Sequence, residues 1–194
     1  MYAAERGHAQ VAFLYPRSAA LWDEWGQAQP TAVYDCTNTN MLAHRMGYFG
    51  EVYGLYRLLA QRLNIPVDFV DETALNTDAV LAPYKLLVIT EPDVPAANMQ
   101  SVLAWVQRGG QLMTVSGAAT GDMYSQPSDA LTQATGVQEA PRQRLILEGS
   151  LQPVANGTAI ANATGTGNFT AYGAVTRFTK LGKATQVCQY GACR

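Results

Sequence analysis

The chain has 194 residues, 48% of them hydrophobic and only 14% charged, with a formal net charge of -2. That is enough apolar chain for one good core, and it gives no general electrostatic attraction to nucleic acid or an anionic membrane; no apolar run approaches the roughly 18 residues that span a bilayer. The charged fraction lies well below the roughly 25% usual in soluble domains, which predicts that part of the surface is covered by another domain or subunit.

Val11-Ala12-Phe13-Leu14-Tyr15 is an apolar run ended by Pro16, the form of a buried first strand. A loop with Leu21, Trp22 and Trp25 follows, then a polar, turn-forming stretch over 26–40. The clearest helix comes next. Leu42, Met46, Phe49, Tyr53, Tyr56, Ala60 and Leu63 recur at alternating four- and three-residue steps and form one stripe, expected to pack on the sheet. Asn40 is its expected N-cap, and Asn64 closes it before Ile65-Pro66. Val67-Asp68-Phe69-Val70 reads as the second strand, and Asp71 is placed to cap a short helix carrying Ala74, Leu75, Val80 and Leu81. Residues 84–90 read as the third strand and 97–108 as a helix with Val102, Leu103 and Val106 facing inward. Gly109-Gly110 stops that helix, and 111–116 form the fourth strand, which breaks into Gly117-Ala118-Ala119-Thr120-Gly121-Asp122.

Strands alternating with helices at this spacing predict an α/β fold, a flavodoxin-like parallel sheet with helices on both faces. Beyond Pro141 the texture changes to short β-type pieces separated by Gly and Asn, which predicts a small C-terminal β-rich appendage. The expected division is 9–140 for the α/β domain and 141–194 for the appendage. The tail shows no obvious closing element, so the chain reads as a piece of something longer.

In an open parallel sheet, ligands and chemistry sit at the C-terminal ends of the strands, so 116–122 is the first place to look for function. Ser116 stands at a strand-end turn. It can be a nucleophile, with His44 as base, Asp122 or Glu51 as orienter and the N–H groups of Gly117 and Ala118 as an oxyanion hole. It can equally be a small polar residue that satisfies the turn. His44 points away from the apolar stripe together with Tyr48 and Glu51, a face that suits either a site or a domain interface. His8 precedes the first strand, on the opposite edge, and reads as an exposed tail residue. Cys36 lies in a loop close before His44 and can form a thiol–imidazole pair, although a buried inert thiol is the commoner case. Asp35 and Asp122 are the carboxylates expected at the rim.

Trp22, Trp25, Tyr34 and Tyr48 cluster before and inside the first helix. Such groups stack on sugar rings or anchor protein interfaces, and with few charges around them the interface reading is preferred. The glycines of 117–121 match neither a phosphate loop nor a dinucleotide fingerprint. Cys36, Cys188 and Cys193 are odd in number and lack metal-ligand spacing; no metal and no other cofactor is expected, and unpaired thiols fit a reducing compartment. The N-terminal residues lack a secretory apolar region, so a soluble, cytoplasmic protein is expected. The Asn-x-Thr triplets at Asn156, Asn162 and Asn168 then read as turn chemistry.

The first strand, the Trp22/Trp25 loop, the Tyr-rich helix, Asn64-Ile65-Pro66-Val67-Asp68, Tyr84-Lys85-Leu86-Leu87-Val88 and Trp105-Val106-Gln107-Arg108-Gly109-Gly110 occur in an order that resembles the class I glutamine amidotransferase-like domain of β-galactosidases, called the trimerisation domain. The resemblance covers roughly 9–137. It implies a domain that lies beside a catalytic barrel and contributes to oligomer contacts without being the glycosidase. In the wider superfamily the strand after Gly-Gly ends in a nucleophile elbow bearing cysteine. Here Val115-Ser116-Gly117 stands at the matching point with serine, and no histidine follows it, so the resemblance does not extend to amidotransferase activity.

The reading is therefore a non-catalytic assembly or interaction domain of a glycosidase-like protein, with a second copy or a neighbouring catalytic domain as partner. The competing reading is a small serine hydrolase of the esterase type, taking a small ester, with a carbohydrate as the further ligand class. Neither reading calls for nucleic acid or membrane.

Overall fold

The computed structural model describes residues 7–15, 17–20, 51–115, 117–139, 143–153, 169–175, 178–186 and 188–190. Four strands form a parallel sheet: β1 (Val11–Tyr15), β2 (Val67–Asp71), β3 (Leu86–Ile89) and β4 (Gln111–Thr114), in the order β2-β1-β3-β4. Val11 pairs with Val67 on one side and Leu86 on the other, and Leu87 pairs with Leu112. The chain order thus reverses between β1 and β3, the switch point where open α/β sheets form their crevice.

The central strands read as continuous apolar runs because both faces are covered. On one face Val11, Phe13, Val67 and Val88 pack against Val52, Leu55, Tyr56, Leu59 and Ala60 of α1, whose described part is α-helical over 51–56 and π-helical over Arg57–Arg62. On the other face Ala12, Leu14, Val70, Leu87 and Ile89 meet Met99, Val102 and Trp105 of α2 (Ala96–Gln107). Each fully buried Leu, Ile, Val or Phe contributes about 1.5–3 kcal/mol relative to exposure, so these two layers hold the domain together.

The expected stripe on α1 is correct at Tyr56 and Ala60 and wrong at Tyr53 and Leu63, which are 60% and 56% exposed. Tyr53 instead lies beneath the Arg57 guanidinium, 5.6 Å from its centroid. The physical reason for the shift beyond 57 is the wider π-turn, in which Leu63 N–H donates to Leu58 O at 3.0 Å, five residues back; this rotates the following residues out of the α-helical phase. Asn64, with φ 53, ends the helix as expected. Asn40, Leu42, Met46 and Phe49 lie outside the described residues.

The Asp71 cap is also corrected. Asp71 Oδ1 accepts from Thr73 N at 2.7 Å and from Thr73 Oγ1 at 2.6 Å, closing a local turn that a short acidic side chain favours over a helix start. The helical piece that follows is 3-10, Asp78–Leu81, and Asp78 forms an ion pair with Arg108 at the end of α2. Gly109 takes φ 102, and the bonds from Gly109 N to Val106 O (2.9 Å) and Gly110 N to Trp105 O (3.2 Å) make the two-bond glycine stop expected of Gly-Gly. Gly110 has a different role. A Cβ there would lie 2.5 Å from Cε3 of Trp105 and closer still to Cδ2 and Cε2, so the glycine is what lets the indole lie over the chain.

After β4 come α3 (Ala130–Thr135), β5 (Gln138–Glu139), β6 (Gln143–Pro153), β7 (Phe169–Val175), β8 (Phe178–Lys180) and β9 (Cys188–Tyr190). β6 pairs antiparallel with β7 and β9, and β5 pairs antiparallel with β8. The fold is the expected one, a parallel sheet with helices followed by small antiparallel sheets. No described helix is long and apolar enough to cross a membrane.

Candidate functional site

All four strands of the parallel sheet end on one edge, where their exits deliver Arg17 and Ser18 after β1, Asp71 to Thr73 after β2, Thr90 to Asp93 after β3, and the turn 117–122 after β4. The β3 exit is laced to the β4 exit by backbone bonds from Ala119 N to Glu91 O (2.8 Å), Gly121 N to Pro92 O (2.8 Å) and Val94 N to Gly121 O (3.0 Å). Gly121 is required there, because a Cβ would collide with Oδ1 of Asp93 and stand 3.5 Å from its Cγ.

Three carboxylates are buried at this edge: Glu72, Glu91 and Asp93. Glu91 is fully enclosed; its Oε2 accepts from Thr90 N (3.0 Å) and Thr90 Oγ1 (3.3 Å), while Oε1 has no partner. Glu72 accepts from Ser18 Oγ at 2.7 Å through Oε1 and leaves Oε2 without a partner. Burial pushes the Glu91 carboxyl up to about 8, against the pull of the Thr90 donors, and the nearby Glu72 charge adds to the rise. Burial likewise raises Glu72, opposed by Ser18. Asp71 goes the other way: its hydrogen bonds from Thr73, with the Arg17 guanidinium 3.5 Å away, hold it below the usual carboxylate range. Asn98, on the first turn of α2, donates to the carbonyls of Glu72 and Leu75 and so fixes the β2 exit against the helix.

Of the residues expected at the site, Ser116, His44, Trp22, Trp25, Tyr34, Tyr48, Asp35 and Cys36 lie outside the described residues. Gly117, Ala118 and Asp122 lie on the C-terminal edge as expected, and Glu51 is half-buried on α1. Gly117 N–H donates to Oε2 of Glu139 at 2.7 Å, and Ala118 N–H donates to Val115 O at 3.1 Å. Both N–H groups assigned to an oxyanion hole are therefore engaged within the protein. Asp122 Oδ1 accepts from Tyr124 N (2.8 Å) and Gln126 N (3.0 Å), so this carboxylate holds its own loop. Among the described residues no group of three or more His, Cys, Asp or Glu side chains is placed to hold a metal ion.

The fold recurs in β-galactosidases. The chain superposes on part of the enzyme from Bacillus circulans sp. alkalophilus with a TM-score of 0.66 and 16% identity, over 97% of its own length and 25% of that chain. For the β-galactosidase from Rahnella sp. R3 the TM-score is 0.62 at 18% identity, with 97% and 26% covered. A ThuA-like protein from Bacteroides uniformis ATCC 8492 matches with a TM-score of 0.53 and 13% identity, over 93% of this chain and 65% of that one. No protein-family model and no curated protein matches the sequence. At these identities the likeness is one of fold, and the chain spans about a quarter of the length of these two β-galactosidases.

Glu72, Glu91 and Glu139 escaped the sequence reading. A signal for Glu91 was present: Thr90-Glu91-Pro92-Asp93 directly follows an apolar strand, at the strand-end edge where ligands and chemistry are expected. Nothing local marks Glu139, whose partner is 22 residues away.

Proposed function

We propose that the chain is a non-catalytic assembly domain of a glycosidase-like protein, belonging beside a catalytic domain or a second copy. The observation that carries this reading is coverage: a likeness that takes in 97% of this chain takes in only 25% of the Bacillus circulans sp. alkalophilus β-galactosidase, although it takes in 94% of the shorter Bifidobacterium adolescentis chain. A (β/α)8 barrel alone takes about 250 residues, more than the 194 present. The filled N–H groups at Gly117 and Ala118 support the same reading, because an oxyanion hole needs donors that are open to substrate. The sparse charge supplies the motive for a partner, since an uncharged surface gains from being covered. By this reading the amidotransferase-like frame and its trimerisation role in β-galactosidases are what the chain retains.

Light scattering on the purified chain across the micromolar range tests it. A mass that is a multiple of 20.9 kDa is expected, together with no hydrolysis of chromogenic galactosides or short-chain esters. A single-chain mass throughout rules out the second copy as partner, and ester hydrolysis abolished by Ser116→Ala overturns the proposal.

A further inference from the structure

The best-buried titratable side chain described at the strand ends is Glu91. Its exposure is 0%, and among the described residues no Lys, Arg or His forms an ion pair with it. The charged groups delivered by the elements around it are mostly of its own sign: Glu72 and Asp71 from the β2 exit, Asp93 from its own connection, and Asp122 with Glu139 around the β4 exit. Arg17, from the β1 exit, is engaged with Asp71. An ionised carboxylate with one oxygen unpartnered is strongly disfavoured in such a place, whereas the neutral acid is tolerated.

The main chain at this residue is structural. Glu91 O and Pro92 O accept from Ala119 and Gly121, and Val94 donates back to Gly121 O. These bonds hold the turn after β4 in place, including Gly117, whose N–H meets Glu139.

We propose that Glu91 is a pH-sensitive clasp: as a neutral acid it stays inside the sheet edge and the connection 90–94 remains laced to 117–121, and once ionised it draws toward water and loosens that lacing. The direction follows from linkage. The folded-state value, about 8, lies above the ordinary 4.5, so the stabilisation is fully present below 4.5 and is lost as pH rises toward 8, by at most tenfold in the opening equilibrium per pH unit.

Amide exchange on the full chain, expressed as protection factors so that intrinsic pH effects cancel, reads the clasp directly. Between pH 5 and 8 the protection of Ala119, Gly121 and Val94 is expected to fall by one to two orders of magnitude, in line with that slope. Glu91→Gln is expected to make the profile flat. Thr90→Val, which removes one donor to Oε2 and keeps the side-chain shape, raises the folded value further and is expected to leave the start of the fall in place while extending it to higher pH, and it serves equally if Glu91→Gln does not fold. A flat profile in the parent chain, an unchanged fall in Glu91→Gln, or a fall in Thr90→Val that ends at the same pH as in the parent chain overturns the proposal.

Discussion

Replacing Gly110 by alanine puts a methyl group where the Trp105 indole already stands. The backbone at Gly110 does not take positive φ, unlike that at Gly109, so the cost is steric rather than conformational. Trp105 is 4% exposed and packed with the Leu87, Met99 and Val102 layer. Swinging the indole out of that layer would forfeit roughly 4–6 kcal/mol, taking about 150–250 Å² of aromatic surface at about 25 cal/mol per Å². Shifting it within the core costs about 1–3 kcal/mol, the usual range for overpacking. The cheaper response wins, so Gly110→Ala is expected to destabilise by about 1–3 kcal/mol, or roughly 2–4 °C in Tm for each kcal/mol in a chain of this size. Urea denaturation followed by circular dichroism measures this, and a double-mutant cycle assigns its cause. With Trp105→Leu already present the methyl has room, and Gly110→Ala should cost nothing or stabilise by a few tenths of a kcal/mol through the unfolded chain. The coupling energy is thus expected at about 1–3 kcal/mol; a value below about 0.5 kcal/mol would refute the steric account. Gly109→Ala is the control. It meets no atom within 4 Å, so its cost of about 1–3 kcal/mol from φ strain should be the same in both backgrounds.

Gly121→Ala should destabilise by a comparable 1–3 kcal/mol by driving into Asp93, and pairing it with Asp93→Ala should recover part of the loss on thermal melting. The lowered Asp71 carboxyl implies stability that is present above about 3.8 and lost as pH falls below it; Thr73→Val should therefore shrink the acid side of a Tm against pH curve, and an unchanged acid side would count against the Thr73 turn. Ester turnover by the purified chain should be no greater than that of Ser116→Ala or His44→Ala, measured with short-chain chromogenic esters. An activity lost in both variants, with no further loss in the double variant, is the signature of a working pair and would contradict the assembly reading.

The sheet was legible because apolar runs at Val11, Val67, Leu87 and Met113, separated by helix-length segments and glycine stops, leave little freedom once right-handed crossovers are assumed. Gly109-Gly110 and Asn64 marked helix ends correctly, since both answer to local backbone chemistry. The face of α1 was legible at Tyr56 and Ala60; Tyr53, ahead of the π-helical segment, is exposed all the same, and the wide turns over Arg57–Arg62 put Leu63 outside the core contacts, which a periodic pattern does not signal. The strand-end edge was located, but its buried carboxylates were not. Whether Glu72 is enclosed depends on Ser18 and Asn98 arriving from distant segments, and a residue's burial is a property of the assembled edge. The same holds for Gly117, whose N–H looked like an open donor until Glu139 was seen on it.

That Glu139 contact has a thermodynamic corollary. β5 carries Glu139 and pairs with β8, so a hydrogen bond from the Gly117 N–H to this carboxylate joins the strand-end turn to the start of the antiparallel region. Any anionic group that takes the Gly117 N–H must first displace this carboxylate, and its affinity is lowered by whatever the displaced contact contributed. Reciprocity then fixes the converse: a partner that pulls β5 and β8 away from the turn raises the affinity of that N–H for an outside acceptor by the same factor. The two ends of one hydrogen bond would thereby report on each other, and docking of a neighbour on one could be read as binding at the other.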